Sequence, residues 1–195
     1  MDIKIGVSNR HVHLSLEDLE CLFGPGYQLT EKRALLQPGQ YACEECVSIK
    51  TDAGQMDRVR IIGPVRPYTQ VEISKTDAIK LRLDPPVRDS GDLKGSKGIE
   101  IIGPKGSVRK EEGVIIANRH IHMTPEERTR LHLDDVYEVS VALSGPKGGI
   151  LHHVMLKVTD EAALECHIDT DDANAHLAQT GDTIQIITDD HDTNI

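Results

Sequence analysis

The chain has 195 residues and a formal net charge of -10, with 3% aromatic residues, no Trp and a single Phe. So few rings give no platform for stacking bases, and the negative charge opposes binding to nucleic acid or to an anionic membrane. A hydrophobic content of 38% against 28% charged residues describes a globular chain whose core must be aliphatic.

The chain opens Met1-Asp2-Ile3-Lys4-Ile5-Gly6-Val7-Ser8. No basic stretch leads into an apolar one, so no secretion signal is expected. No apolar run approaches the roughly 20 residues of a membrane helix. A cytoplasmic location is expected, with the four cysteines as thiols. Ile3–Val7 has strand character, and residues 8–16 follow as Ser-Asn-Arg-His-Val-His-Leu-Ser-Leu. Ser15 with Asp18 three residues on is an N-cap signature, so a short helix should begin there.

Further strands are expected at Cys43–Lys50 and Arg58–Ile62. Val71–Ser74 should be a short strand entering a helix capped near Thr76 or Asp77. Asp84–Lys97, rich in Pro, Gly, Asp and Lys, reads as a surface linker or loop. Gly98–Ile102 and Val114–Ala117 are strand-like. Residues 117–125 then read Ala-Asn-Arg-His-Ile-His-Met-Thr-Pro, and Thr124-Pro125-Glu126-Glu127 is a strong capping box with Pro at the first helical position. Val136–Leu143 and Leu151–Val158 complete the strands before Cys166-His167-Ile168. The acidic tail Asp189–Ile195, which contains His191, is expected to be disordered.

Asn-Arg-His-x-His thus occurs twice, each time between a strand and a helix start. Two weaker correspondences keep the same order: residues 71–78 overlay 166–173, and residues 98–102 overlay 182–187. An internal duplication follows, with halves of 1–105 and 106–195. Many short strands punctuated by Gly and Pro favour a mainly β fold of two small β-barrels with short helices.

On a strand, alternate residues share a face. His11 and His13 can therefore reach one ion while Val12 faces the core, and His120 and His122 can do the same around Ile121. Zinc needs a third ligand. The overlay supplies one, because His167 takes the place of Glu72, each flanked by apolar neighbours. The candidate sets are His11, His13, Glu72 and His120, His122, His167. Three protein ligands plus an open position is the pattern of a reactive metal. For a single His-x-His an exposed strand end is the default, and the duplication weighs against it.

Arg66 stands six residues before Glu72, an even spacing that favours the same side of an extended segment. It could hold a phosphate or a carboxylate. Arg10 and Arg119 should face away from the histidines, toward an anion at the rim or toward carboxylates. Cys43-Glu44-Glu45-Cys46 has no second Cys pair and reads as two strand thiols. His132, His152 and His153 read as surface or supporting residues. No dinucleotide loop, phosphate loop or Gly-x-Ser-x-Gly elbow is present.

Gly6-Val7-Ser8-Asn9-Arg10-His11-Val12-His13-Leu14-Ser15, the Arg66–Glu72 segment and Ala117-Asn118-Arg119-His120-Ile121-His122-Met123 resemble the PduL-type phosphotransacylases, the phosphate propanoyltransferases. The resemblance covers nearly the whole chain. It implies two β-barrels with a dinuclear zinc site between them, and interconversion of acyl-CoA plus phosphate with acyl phosphate plus CoA. Its metal sites match His11, His13, Glu72 and His120, His122, His167, and its phosphate-binding arginine matches Arg66. Cofactors are then two Zn2+, with CoA as substrate. Homodimers are expected, and the acyl group should be propionyl or acetyl. The family's N-terminal microcompartment-targeting extension has no room before Ile5, so a free cytoplasmic enzyme is expected. The competing readings are a metal-dependent thioester or phosphoester hydrolase and a non-catalytic zinc module.

Overall fold

The computed structural model describes residues 2–187, so the acidic tail lies outside the described residues. The fold is mainly β. Alternation of buried and exposed positions runs through the strands, as a barrel wall with one face inward requires. In β4 (Tyr41–Thr51) and β5 (Gly54–Gly63), for example, Val47, Ile49, Val59 and Ile61 are buried while Lys50 and Arg58 are exposed.

Two compact units emerge. One is Asn9–Ala117, and the other joins the residues up to Ser8 with those from Asn118 onward. The first contains β2 (His11–His13), β4, β5, β6 (Gln70–Glu72), β8 (Lys97–Ile102) and β9 (Ser107–Ala117). These close into a six-stranded ring in the order β9-β6-β2-β5-β4-β8 and back to β9. β3 (Glu31–Ala34) pairs with β4, and β7 (Val87–Arg88) pairs with β9. The second unit contains β1 (Asp2–Ser8), β10 (His120–Met123), β11 (Glu138–Leu143), β12 (Gly149–Val158), β13 (Glu165–Asp169) and β14 (Thr183–Ile187). They close in the order β1-β13-β10-β12-β11-β14.

The two rings have the same topology. β9 pairs in parallel with β6 and β1 in parallel with β13. β2 and β10 each lie antiparallel to that partner and parallel to the next strand, β5 or β12. This correspondence carries an exchange. β1 leads directly into the first motif yet closes the barrel of the second. β9 leads into the second motif yet closes the barrel of the first. The compact units are therefore not the consecutive halves 1–105 and 106–195.

Residues 84–97 do not link two units. They lie within the first, where β7 pairs in parallel with Ile116 and Ala117. Each core is aliphatic. Val12, Leu14, Leu22, Ile49, Ile61 and Val71 are among the residues that pack in the first, and Ile5, Ile121, Met123, Val141, Cys166 and Ile168 are among those in the second.

Four helices occur among the described residues: α1 (Leu16–Phe23), α2 (Lys75–Lys80), α3 (Pro125–Arg130) and α4 (Thr170–His176). Ser15 and Thr124 cap the first and third helices as expected, whereas the second is capped by Ser74, with Thr76 and Asp77 inside the helix. Ser15 accepts from the Asp18 backbone N–H, Ser74 from that of Asp77, and Asp169 from those of Asp171 and Asp172. Thr124 and Glu127 form the full reciprocal box. No helix among the described residues is long and apolar enough to cross a membrane.

Candidate metal centres

In the first unit the cross-strand register pairs His11 with Glu72 and His13 with Gln70, with Val12 opposite Val71 between them. Val12 and Val71 are buried in the core, so the histidines and Glu72 share the outward face. The second unit repeats this, with His120 opposite His167, His122 opposite Glu165, and Ile121 opposite Cys166 inside the barrel. In each trio, His11, His13, Glu72 and His120, His122, His167, the ligand atoms all lie within 4.8 Å of one another.

Two of the donor spacings match those of a tetrahedral ion, while His13 Nε2 lies 4.0 Å from Glu72 Oε1. Zinc–nitrogen bonds of about 2.0–2.1 Å place neighbouring ligand atoms about 3.3 Å apart. His11 Nε2 lies 3.4 Å from Glu72 Oε2, and His120 Nε2 lies 3.1 Å from His122 Nε2. The tautomers agree. His11 Nδ1 donates to the Asn9 carbonyl and His120 Nδ1 to the Asn118 carbonyl, both at 2.8 Å, and His13 Nδ1 donates to the Ile62 carbonyl at 3.1 Å. Each Nε2 is thereby left with its lone pair turned to the other ligands, the arrangement a metal requires.

Burial also keeps the imidazoles of His13, His120 and His122 neutral. It is the largest cause of the His13 pKa falling to about 2, helped by the charges of His11 and Arg66. Burial and then the charge of His167 bring His122 down to about 4, and burial, the Lys157 ammonium and His167 hold His120 well below the usual histidine range. A neutral imidazole is the ligand form.

Arg66 belongs to the same unit as the first trio. Its backbone N–H donates to the Leu14 carbonyl, one residue past His13, and its Nη1 donates to Ser90 Oγ at 3.2 Å. Burial lowers its pKa while Glu72 and Tyr68 raise it, and a guanidinium stays charged throughout. Gln70 connects the parts, because its amide N–H donates to Glu72 Oε1 at 2.5 Å and to Ser90 Oγ at 2.8 Å while its carbonyl accepts from the Gly91 N–H. The expected surface loop at 84–97 is thus one support of the Arg66–Glu72 region. Arg10 and Arg119 turn to carboxylates, Asp77 and Asp172 respectively.

A family model for phosphate propanoyltransferase matches residues 4–179. The chain belongs to the phosphate propanoyltransferase family. It is 54% identical to the phosphate propanoyltransferase of Thermotoga maritima over 186 residues, covering 95% of this chain and 89% of that protein. The Rhodobacter capsulatus phosphate propanoyltransferase is 48% identical over 184 residues, covering 94% and 86%. That of Salmonella typhimurium is 49% identical over 174 residues, covering 89% and 82%. Membership makes the chain an acyltransferase.

In this phosphate propanoyltransferase fold, Glu165 stands beside the second trio, its Oε2 2.7 Å from His167 Nε2. Gly6 on β1 faces His167 in register, and a Cβ there would lie 2.7 Å from Glu165 Oε1. Only a residue without a side chain leaves both groups their places. Sequence reasoning did not single out Gln70, Glu165, Ser90 or Gly6. Two could have been found, since Gln70 and Glu165 each lie two residues before the third member of a trio and so share its face of the strand.

Cys43 and Cys166 are fully buried. Burial, reinforced by nearby carboxylates, pushes their thiols up to about 11 and about 12. His132, His152 and His153 are exposed. His152 Nδ1 meets Ser140 Oγ and His153 Nδ1 meets Glu138.

Proposed function

We propose that this chain interconverts a short-chain acyl-CoA, propionyl-CoA or acetyl-CoA, and inorganic phosphate with acyl phosphate and CoA. In this reading it holds one zinc ion at His11, His13 and Glu72 and a second at His120, His122 and His167. The observation that carries it is the pair of matching three-donor groups in a chain of the phosphate propanoyltransferase family.

The chemistry needs no protein nucleophile. A phosphate oxygen attacks the thioester carbonyl carbon, the C–S bond breaks, and the electron pair leaves with the CoA sulfur. When bound, zinc would supply positive charge for phosphate and a soft partner for the thiolate. Arg66 is the phosphate-holding group. Its planar fork can grip two oxygens at once, and Ser90 at 3.2 Å steadies it. Fixing phosphate in line with the thioester converts a slow bimolecular encounter into an oriented one. The imidazoles at 13, 120 and 122 stay unprotonated and keep the donor sets ready at neutral pH.

The buried thiols at 43 and 166 are poor nucleophiles, which weighs against an acyl-enzyme on either of them; Cys21 and Cys46 are the other candidates for one. The same two ions could instead activate water, which would make the protein a thioester or phosphoester hydrolase. Thiol release from propionyl-CoA and acetyl-CoA, with and without phosphate, separates the two. The homodimer expected from the resemblance is tested by light scattering on the purified protein.

A further inference from the structure

Each motif arginine makes the same connection in its own unit. Arg10 Nη1 donates to both oxygens of Asp77, at 3.2 and 3.1 Å. Arg119 Nε and Nη2 grip Asp172 side-on, at 2.8 and 2.7 Å. Each arginine immediately precedes the first histidine of its trio. Each aspartate lies in the first turn of the helix that follows the third member, five residues past Glu72 (77 - 72) and five past His167 (172 - 167). The Asp77 side chain is 3% exposed. A carboxylate so enclosed must be paired, so the contact is enforced and not incidental.

The peptide beside each arginine has a specific task. The carbonyl of the residue before it, Asn9 or Asn118, accepts from Nδ1 of the first histidine at 2.8 Å. That hydrogen bond fixes the tautomer that turns Nε2 toward the rest of the trio. Turning the peptide at 9–10 or 118–119 would remove the acceptor. The arginine–aspartate contact ties that turn to the helix after the third member. The second unit adds a further tie, from Arg119 Nη1 to the His152 carbonyl at 3.0 Å. One motif could carry such a contact by chance. Two copies, with the same spacing and separate partners, show that the connection belongs to the trio.

We propose that Arg10–Asp77 and Arg119–Asp172 are positioning pairs, each setting the tautomer and orientation of the first histidine in its own metal centre. Asp77 acts on His11 and Asp172 on His120, without contact to substrate. The effect on metal affinity rests on the two-zinc reading above, while the effect on tautomer does not.

The test uses Asp77→Asn and Asp172→Asn in the full-length chain. In metal-free protein, long-range 1H–15N spectra report the histidine tautomers. Wild type should show the Nδ1–H form at His11 and His120, and each variant should show a mixture at its own histidine only. After reloading with zinc, competition with a chromophoric chelator should show affinity weakened about 10- to 100-fold at one site and unchanged at the other. Unaltered tautomers and affinities, alongside a lower melting temperature of the metal-free protein, would make the pairs purely structural and overturn the proposal. If an asparagine variant does not fold, Arg10→Lys and Arg119→Lys serve instead, since lysine keeps the charge and loses the planar fork. Wild type that binds no zinc would overturn the metal reading, and the tautomer spectra would still decide the positioning pairs.

Discussion

Glu72 and His167 occupy one position in two barrels. Glu72 faces His11 across an antiparallel pair, and His167 faces His120 across the equivalent pair in the same register. A carboxylate and an imidazole are thereby exchanged at the third corner of otherwise matching donor sets. The exchange makes the centres unequal, since the first trio carries a formal negative charge that the second lacks. Glu72→Ala and His167→Ala should each lower zinc content from two ions per chain to one, read by elemental analysis of purified protein. A variant retaining both ions would remove that residue from its donor set.

Arg66→Ala should raise the phosphate KM and lower kcat/KM, since a hydrogen-bonded charge contact is worth about 1.5–3 kcal/mol, or roughly 10- to 100-fold. Arg66→Lys should recover part of this, because a point charge remains while the fork is lost. The KM for acyl-CoA should move far less. Equal effects on both substrates would argue that Arg66 acts through the fold.

The depressed histidines predict how stability depends on pH. Their folded pKa values lie below the ordinary 6.5, to about 2 at His13 and about 4 at His122. The unfolded chain therefore binds more protons than the folded one below that value. The contribution is fully present above pH 6.5 and is lost as pH falls through the window down to each folded value. Each such histidine removes about 1.4 kcal/mol per pH unit inside its window. Melting of the metal-free protein should thus fall from pH 7 to pH 4, and less steeply in His122→Ala.

The exchanged strands predict unequal behaviour of fragments. Residues 9–117 contain every strand of their barrel and should fold alone with a cooperative melt. Residues 118–195 lack β1, which lies between β13 and β14, and should fold only when a peptide of residues 1–8 is supplied. Circular dichroism checks both. A cooperative melt of 118–195 without the peptide would show that the barrel closes without β1.

Much of this was legible in the sequence because side-chain alternation is local. The period of two in His-Val-His and His-Ile-His placed both imidazoles on one face, and the repeat supplied Glu72 and His167. The capping signals at Ser15 and Thr124 marked helix starts for the same reason. Strand exchange was not legible. Ile3–Val7 has the composition of a barrel strand whichever barrel it closes, and pairing across 160 residues leaves no local trace. The segment 84–97 is largely the loop expected of it and not a linker between units. Its Pro and Gly content describes a chain without regular structure, and says nothing of Ser90 reaching Arg66 and Gln70.

Direct transfer predicts that cysteine is dispensable. Cys166→Ala and Cys43→Ala should keep activity within about threefold once stability is matched, because buried thiols held at high pKa contribute packing and not nucleophilicity. Mass spectrometry after mixing with acyl-CoA alone should find no acylated protein. A trapped thioester on Cys21, Cys43, Cys46 or Cys166 would replace direct transfer with a two-step route.

The most direct test of the central claim is thiol release from propionyl-CoA by protein of known zinc content, with and without inorganic phosphate. The account predicts release that requires phosphate, yields acyl phosphate in equal amount, and disappears on chelation and in His11→Ala and His120→Ala. Release at the same rate without phosphate would make the protein a hydrolase, and no release from the zinc-loaded protein would contradict the proposed reaction.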